Sequence, residues 1–141
     1  MKICGIELTG NDAVICLLEL DNQQFILPDC RVRKITLPKN HTRGDLQYFQ
    51  STFVKLMNDY GITKVAIKER AQKGKFSGGA IGFKLEAAIQ LIGDIDVVVI
   101  PQKDIKLGLS GHVLPFTFAE TGLKVFQEAA FTVAYVAQVM R

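Results

Sequence analysis

The chain has 141 residues, with 17 Lys and Arg against 14 Asp and Glu, a formal charge of +3, and 48% hydrophobic residues. This composition gives room for a proper core and excludes an intrinsically disordered chain. No apolar run approaches the roughly 20 residues of a membrane helix, and Glu7 and Asn11-Asp12 interrupt any signal-like stretch, so a soluble cytoplasmic protein with no membrane contact is expected.

Residues 2–8 read as a strand that carries one awkward charge, Glu7, before the turn TGND. AVICLLEL (13–20) is a second apolar strand, Asp21-Asn22 a hairpin turn, and a third strand falls within 24–36, interrupted near Pro28. Pro38 to Gly44 is a loop. The next helix opens near Asp45 and runs to about Tyr60, with Leu46, Phe49, Phe53, Leu56 and Met57 at helical spacing and Gly61 as its stop. TKVAIKER (63–70) is the next strand, followed by the basic, glycine-rich loop AQKGKFSGGA. A helix over about 80–92 leads to DVVVI (96–100), whose continuous apolar run suits a parallel strand covered on both faces. Residues 102–109 predict a short helix, GHVLPFTF an irregular segment, and about 120–138 a final helix.

The order βββ-α-β-α-β-α predicts one α/β domain over 1–141, a mixed five-stranded sheet with helices on both faces. The three cysteines, Cys4, Cys16 and Cys30, lack the spacing of a zinc site, and Cys4 and Cys16 read as buried thiols. No P-loop pattern is present, so no nucleotide cofactor is expected.

Three segments carry a family resemblance. In ICGIELTGNDAVICLL the first strand ends at Glu7, with Gly10 following. In VAIKERAQKGKFSGGAIGFKLEAA the fourth strand ends at Glu69, and Gly78, Gly79 and Gly82 open the next helix. In VFQEAAFTVAYVA, Glu128 precedes Ala129, Ala130 and Ala134. With the element order, these segments resemble the Holliday junction resolvases of the RuvC kind, within the ribonuclease H-like superfamily. They also resemble a small bacterial family related to these resolvases and designated a domain of unknown function.

The resemblance spans nearly the whole chain and implies a ribonuclease H-like sheet of order 3-2-1-4-5. It further implies a metal-dependent nuclease acting on phosphodiesters of structured or branched nucleic acid. Mg2+ or Mn2+ would be held by Glu7, Glu69 and Glu128, with Glu120 the rival third ligand, and the protein would work as a homodimer because a junction is cut symmetrically. The alternatives are a non-catalytic nucleic-acid-binding protein and a homodimeric scaffold of the same fold.

Clustered carboxylates suit this chemistry because two divalent ions can activate water and stabilise the leaving oxygen of a phosphodiester. Glu7 has other readings: it caps the TGND turn, or it pairs with a basic neighbour such as Lys68 or Arg70. Glu120, Lys124 and Glu128, at i, i+4 and i+8, also fit a surface salt-bridge ladder. Beside Glu69, the basic residues Arg70, Lys73 and Lys75 suit a phosphate backbone, Phe76 a stacked base, and Gly78-Gly79 an anion at a helix start. A surface loop with Phe76 tucked onto the core is the competing reading. Glu86 reads as solvent-facing, with contact at the site edge as its other reading. Asp94 and Asp96 fall at the far end of their strand from Glu7.

Overall fold

Two-residue links fold the N-terminal strands onto one another. The computed structural model describes residues 1–70 and 79–140. Strand β1 (Lys2–Thr9) pairs antiparallel with β2 (Asp12–Asp21) across Gly10-Asn11, where Gly10 takes a left-handed φ of 58° that glycine adopts without steric cost. A second tight link, Asn22-Gln23, has positive φ at both residues, the geometry that matches strand twist, and leads to β3 (Gln24–Ile26).

The expected third strand is two short ones. The chain leaves the sheet after Ile26, passes Pro28, and returns as β4 (Lys34–Thr36), which also pairs with β2. Among the described residues the sheet therefore has six strands rather than five, ordered β3-β2-β1-β5-β6 with β4 beside β2.

Helix α1 (Arg43–Tyr60) opens on a capping box: Thr42 N–H donates to the Asp45 carboxylate at 2.9 Å and Asp45 N–H to Thr42 Oγ1 at 3.2 Å. Gly61, at φ 67°, closes it as expected. Strand β5 (Lys64–Lys68) then lies parallel to β1, α2 (Ala80–Gln90) follows, and β6 (Asp96–Ile100) lies parallel to β5. β6 is at the sheet edge, so its valines are half-buried rather than fully covered.

Strand alternation sends side chains to two cores. Cys4, Ile6, Leu8, Val65 and Ile67 pack under α1 and α2 with Phe49, Phe53, Leu85 and Ile89. Ile3, Val14, Cys16, Leu18 and Ala66 pack on the other face under α3 (Gln102–Gly111) and α4 (Glu128–Val139). Cys4 and Cys16 are buried, and burial pushes the Cys16 thiol up to about 12. The segment before α4 contains two 3-10 turns, Phe118–Thr121 and Val125–Gln127, and is held by Phe116 and Phe118 against Phe131.

The final helix thus starts at Glu128, eight residues later than 120. Glu120 belongs to the first 3-10 turn, where its carboxylate accepts from Thr117 N–H at 2.9 Å and Thr117 Oγ1 at 3.0 Å. Gly122 then takes φ 75° and turns the chain. Glu120, Lys124 and Glu128 are not a ladder along one helix.

Candidate functional site at the end of β1 and β5

Gly5 brings the last helix down onto β1. A Cβ there would collide with the Ala130 carbonyl oxygen and lie 2.7 Å from Ala134 Cβ, so only glycine permits this approach. At the other end of α4, Gln138 Nε2 donates to the Met1 and Leu18 carbonyls at 2.6 and 2.9 Å. The helix therefore runs antiparallel to β1. Its first residue, Glu128, overlies the end of the strand that carries Glu7. Gln127 fixes this end too, donating through Nε2 to the Ile15 carbonyl at 2.9 Å.

Glu7 lies opposite Val14, which is buried on the α4 face, so Glu7 points to that face. On β5, Ala66 pairs with Gly5 and belongs to the same core, so Lys68, two residues on, projects beside Glu7. Lys68 Nζ is 3.9 Å from Glu7 Oε2, with side chains 35% and 28% exposed. Of the readings open for Glu7 from sequence, a basic partner is the one this geometry supplies. Two strands away, Lys34 pairs with Val14, sits 3.9 Å from Asp12 and lies 5.6 Å over the exposed ring of Phe126. A cross-sheet row thus runs Lys34, Val14, Glu7, Lys68.

Glu69 ends β5 at the same edge as Glu7, as expected, and its N–H donates to the Ile100 carbonyl at 3.0 Å. One residue past the end of β5, it acts on a residue of α2 rather than on Glu7. Its company there is Glu86. Burial pushes the Glu86 carboxyl above its usual value, Arg70 opposes the rise and Glu69 adds to it. Glu86 is thus half-buried at the edge of this site, the less favoured of its two readings from sequence.

Arg70 turns inward. Its Nη1 donates to the Leu8 carbonyl, its guanidinium lies 5.4 Å over the Phe83 ring, and Gly82 makes room for it. Gly79 is exposed and caps α2 with backbone alone. Lys73, Lys75, Phe76 and Gly78 lie outside the described residues.

Glu128 is exposed at the amino end of α4, and Glu120 is engaged by Thr117, which holds its carboxyl below the usual range. Among the described residues, no three His, Cys, Asp or Glu side chains gather at metal-binding spacing. Phe131 and Tyr135 are core, whereas Phe126 is exposed. Lys34 and Phe126 were the site residues hardest to find, because their meeting joins β4 to the segment before α4. Among the described residues no helix is long and apolar enough to cross a membrane.

A comparison with curated proteins finds no match by sequence. Solved structures match over almost the whole chain. Thermus thermophilus RuvC is 10% identical with a TM-score of 0.76, covering 99% of this chain and 94% of that one. The same organism's RuvC in complex with a Holliday junction substrate gives 10% and 0.74, covering 99% and 93%. The fowlpox virus Holliday junction resolvase gives 11% and 0.52, covering 98% and 99%. At such identities the likeness is one of fold alone, and the fold is ribonuclease H-like α/β. A family model described as Protein of unknown function (DUF3010) matches residues 1–137. Matched over nearly its whole length, the chain belongs to that family.

Proposed function

We propose that the protein binds the phosphodiester backbone of structured or branched nucleic acid at the end of the sheet where β1, β5 and the start of α4 meet. The observation that carries this is the cross-sheet row: two ammonium groups stand along it, Lys34 beside Asp12 and Lys68 beside Glu7, with Phe126 exposed beside Lys34. Lysines position a phosphate backbone and an exposed aromatic ring stacks on a base. The fold supports the same reading, since a protein of this fold has been solved in complex with a Holliday junction substrate. Function as a homodimer in the cytoplasm is part of the proposal, a two-fold assembly being the natural match for a symmetric junction.

A second reading is cleavage of that backbone with Mg2+ or Mn2+. What favours it is that Glu7 and Glu69 end neighbouring strands at one edge, beneath the helix that starts at Glu128. The donor set fits a divalent ion poorly, because Glu7 has Lys68 beside it, Glu69 acts on Glu86 instead, and no three such side chains gather among the described residues.

Fluorescence anisotropy with a labelled four-way junction and a matched duplex tests the proposal. The junction is expected to bind more tightly, with log K falling linearly in log salt. Lys34→Gln is expected to reduce that slope by about one, as loss of one phosphate contact does. Failure to bind either nucleic acid at low salt overturns the proposal. Junction cleavage that needs Mg2+ or Mn2+ and disappears in Glu7→Gln and Glu69→Gln establishes the second reading instead.

A further inference from the structure

We infer that Lys68 is the resident cation of the Glu7 site: its ammonium stands where a divalent ion would need a second carboxylate, and contact with phosphate there is metal-independent. The register leaves little choice. Gly5 pairs with Ala66 and Ile6 with Ile67, so the residue beside Glu7 on the same face is Lys68. The next carboxylate, Glu69, lies past the end of β5 and acts on Glu86 of α2. Divalent magnesium demands several hard oxygen ligands in near-octahedral array. A lysine ammonium has three donors and no lone pair to give. It repels a second cation and competes for the Glu7 oxygens at 3.9 Å.

What remains is an ion pair at a partly exposed strand end, with Lys34 on the same row. Glu7 is then a positioning residue, holding the Lys68 ammonium at the edge of the sheet, and the remaining donors of that ammonium suit a phosphate oxygen. This last step rests on the nucleic-acid reading above; the exclusion of a divalent ion does not.

Titration calorimetry of the full chain with MnCl2 tests the inference. Wild type is expected to show no Mn2+ binding that depends on Glu7. Lys68→Glu, which sets two carboxylates side by side, is expected to bind Mn2+ at least tenfold more tightly than wild type, and adding Glu7→Gln is expected to remove the gain. Wild-type binding abolished by Glu7→Gln overturns the inference, as does a folded Lys68→Glu variant with no gain.

If Lys68→Glu does not fold, Lys68→Asp sets the second carboxylate there on a shorter side chain. Paramagnetic broadening of the Glu7 amide by Mn2+ is then expected in that variant and not in wild type, and broadening of that amide in wild type, or in neither protein, overturns the inference. In the nucleic-acid arm, wild-type junction binding is expected to be unchanged by EDTA and to fall at least threefold in Lys68→Met. Loss of binding in EDTA overturns metal independence. If wild type binds no junction at all, the proposed function fails while the Mn2+ measurements still decide the role of Lys68.

Discussion

Arg70 and Lys68 sit two residues apart in one basic stretch, yet their charges serve opposite sides of the sheet. Lys68 joins Glu7 on the α4 face. The Arg70 guanidinium is drawn to the Leu8 carbonyl and the Phe83 ring on the α2 side, where Gly82 leaves space that a Cβ would fill. Glu86 has its carboxyl raised there by burial, against the pull of Arg70. A carboxyl raised in the folded state binds more protons folded than unfolded, so its contribution to stability falls as pH rises from the ordinary value near 4.5 through the folded value. Glu86→Gln is therefore expected to melt higher than wild type at pH 7, the difference vanishing below the ordinary carboxyl range; thermal melts across pH 3–8 (roughly the span of carboxyl titration) measure it. A variant less stable than wild type at every pH would show that the Arg70 contact outweighs burial. Strand alternation would send Lys68 and Arg70 to one face, but β5 ends at Lys68, so Arg70 is placed by its tertiary contacts and not by the pleat.

Helix α4 shows how one element positions the site. Its small residues, Ala130 and Ala134, accept the backbone of β1 at Gly5, and two buried glutamines tie its ends to strand carbonyls. Gly5→Ala forces the helix off the strand, and overpacking of this kind costs about 1–3 kcal/mol. Urea denaturation is expected to show that loss, and the collision with backbone at Ala130 puts the expectation at the upper end of the range. A loss well below 1 kcal/mol would mean that α4 shifts freely, and the placing of Glu128 over β1 would not hold.

The small-residue run was visible in the sequence, and so was the helix. Its start was not, because Glu120, Lys124 and Glu128 mimic helical spacing while Thr117 takes the Glu120 carboxylate into a local capping turn. The same blindness split the third strand: Pro28 was readable, but the return of β4 to β2 depends on partners distant in sequence.

Across the whole molecule, β1 is the most enclosed strand, with β2 on one side, β5 on the other and a core against each face. Opening it requires both cores to come apart, so the amides of Ile3 to Ile6 are expected to exchange only through global unfolding. Those of β6 at the sheet edge are expected to exchange faster, by local opening. Hydrogen exchange followed residue by residue checks this ranking, and β1 amides exchanging as fast as those of β6 would contradict it. The arrangement places the Glu7–Lys68 pair at the end of the most rigid strands. On the proposed function, a row held there would lose little conformational freedom on contact with phosphate.

The sequence by itself determined the alternation of strands and helices apart from the split third strand, the mixed sheet, the two buried thiols, and the position of Glu7 and Glu69 near strand ends. These follow from local signals: periodicity, turn residues and the helix that must separate parallel strands, whereas the central place of β1 is what the family resemblance implied. Tertiary structure alone decided the company each charge keeps. Whether Glu7 meets Glu69 or Lys68 depends on the β1–β5 register, and a shift of one residue exchanges the faces. That register is set by the packing of Ile6 and Ile67 on one side and Gly5 and Ala66 on the other, which no stretch of sequence contains.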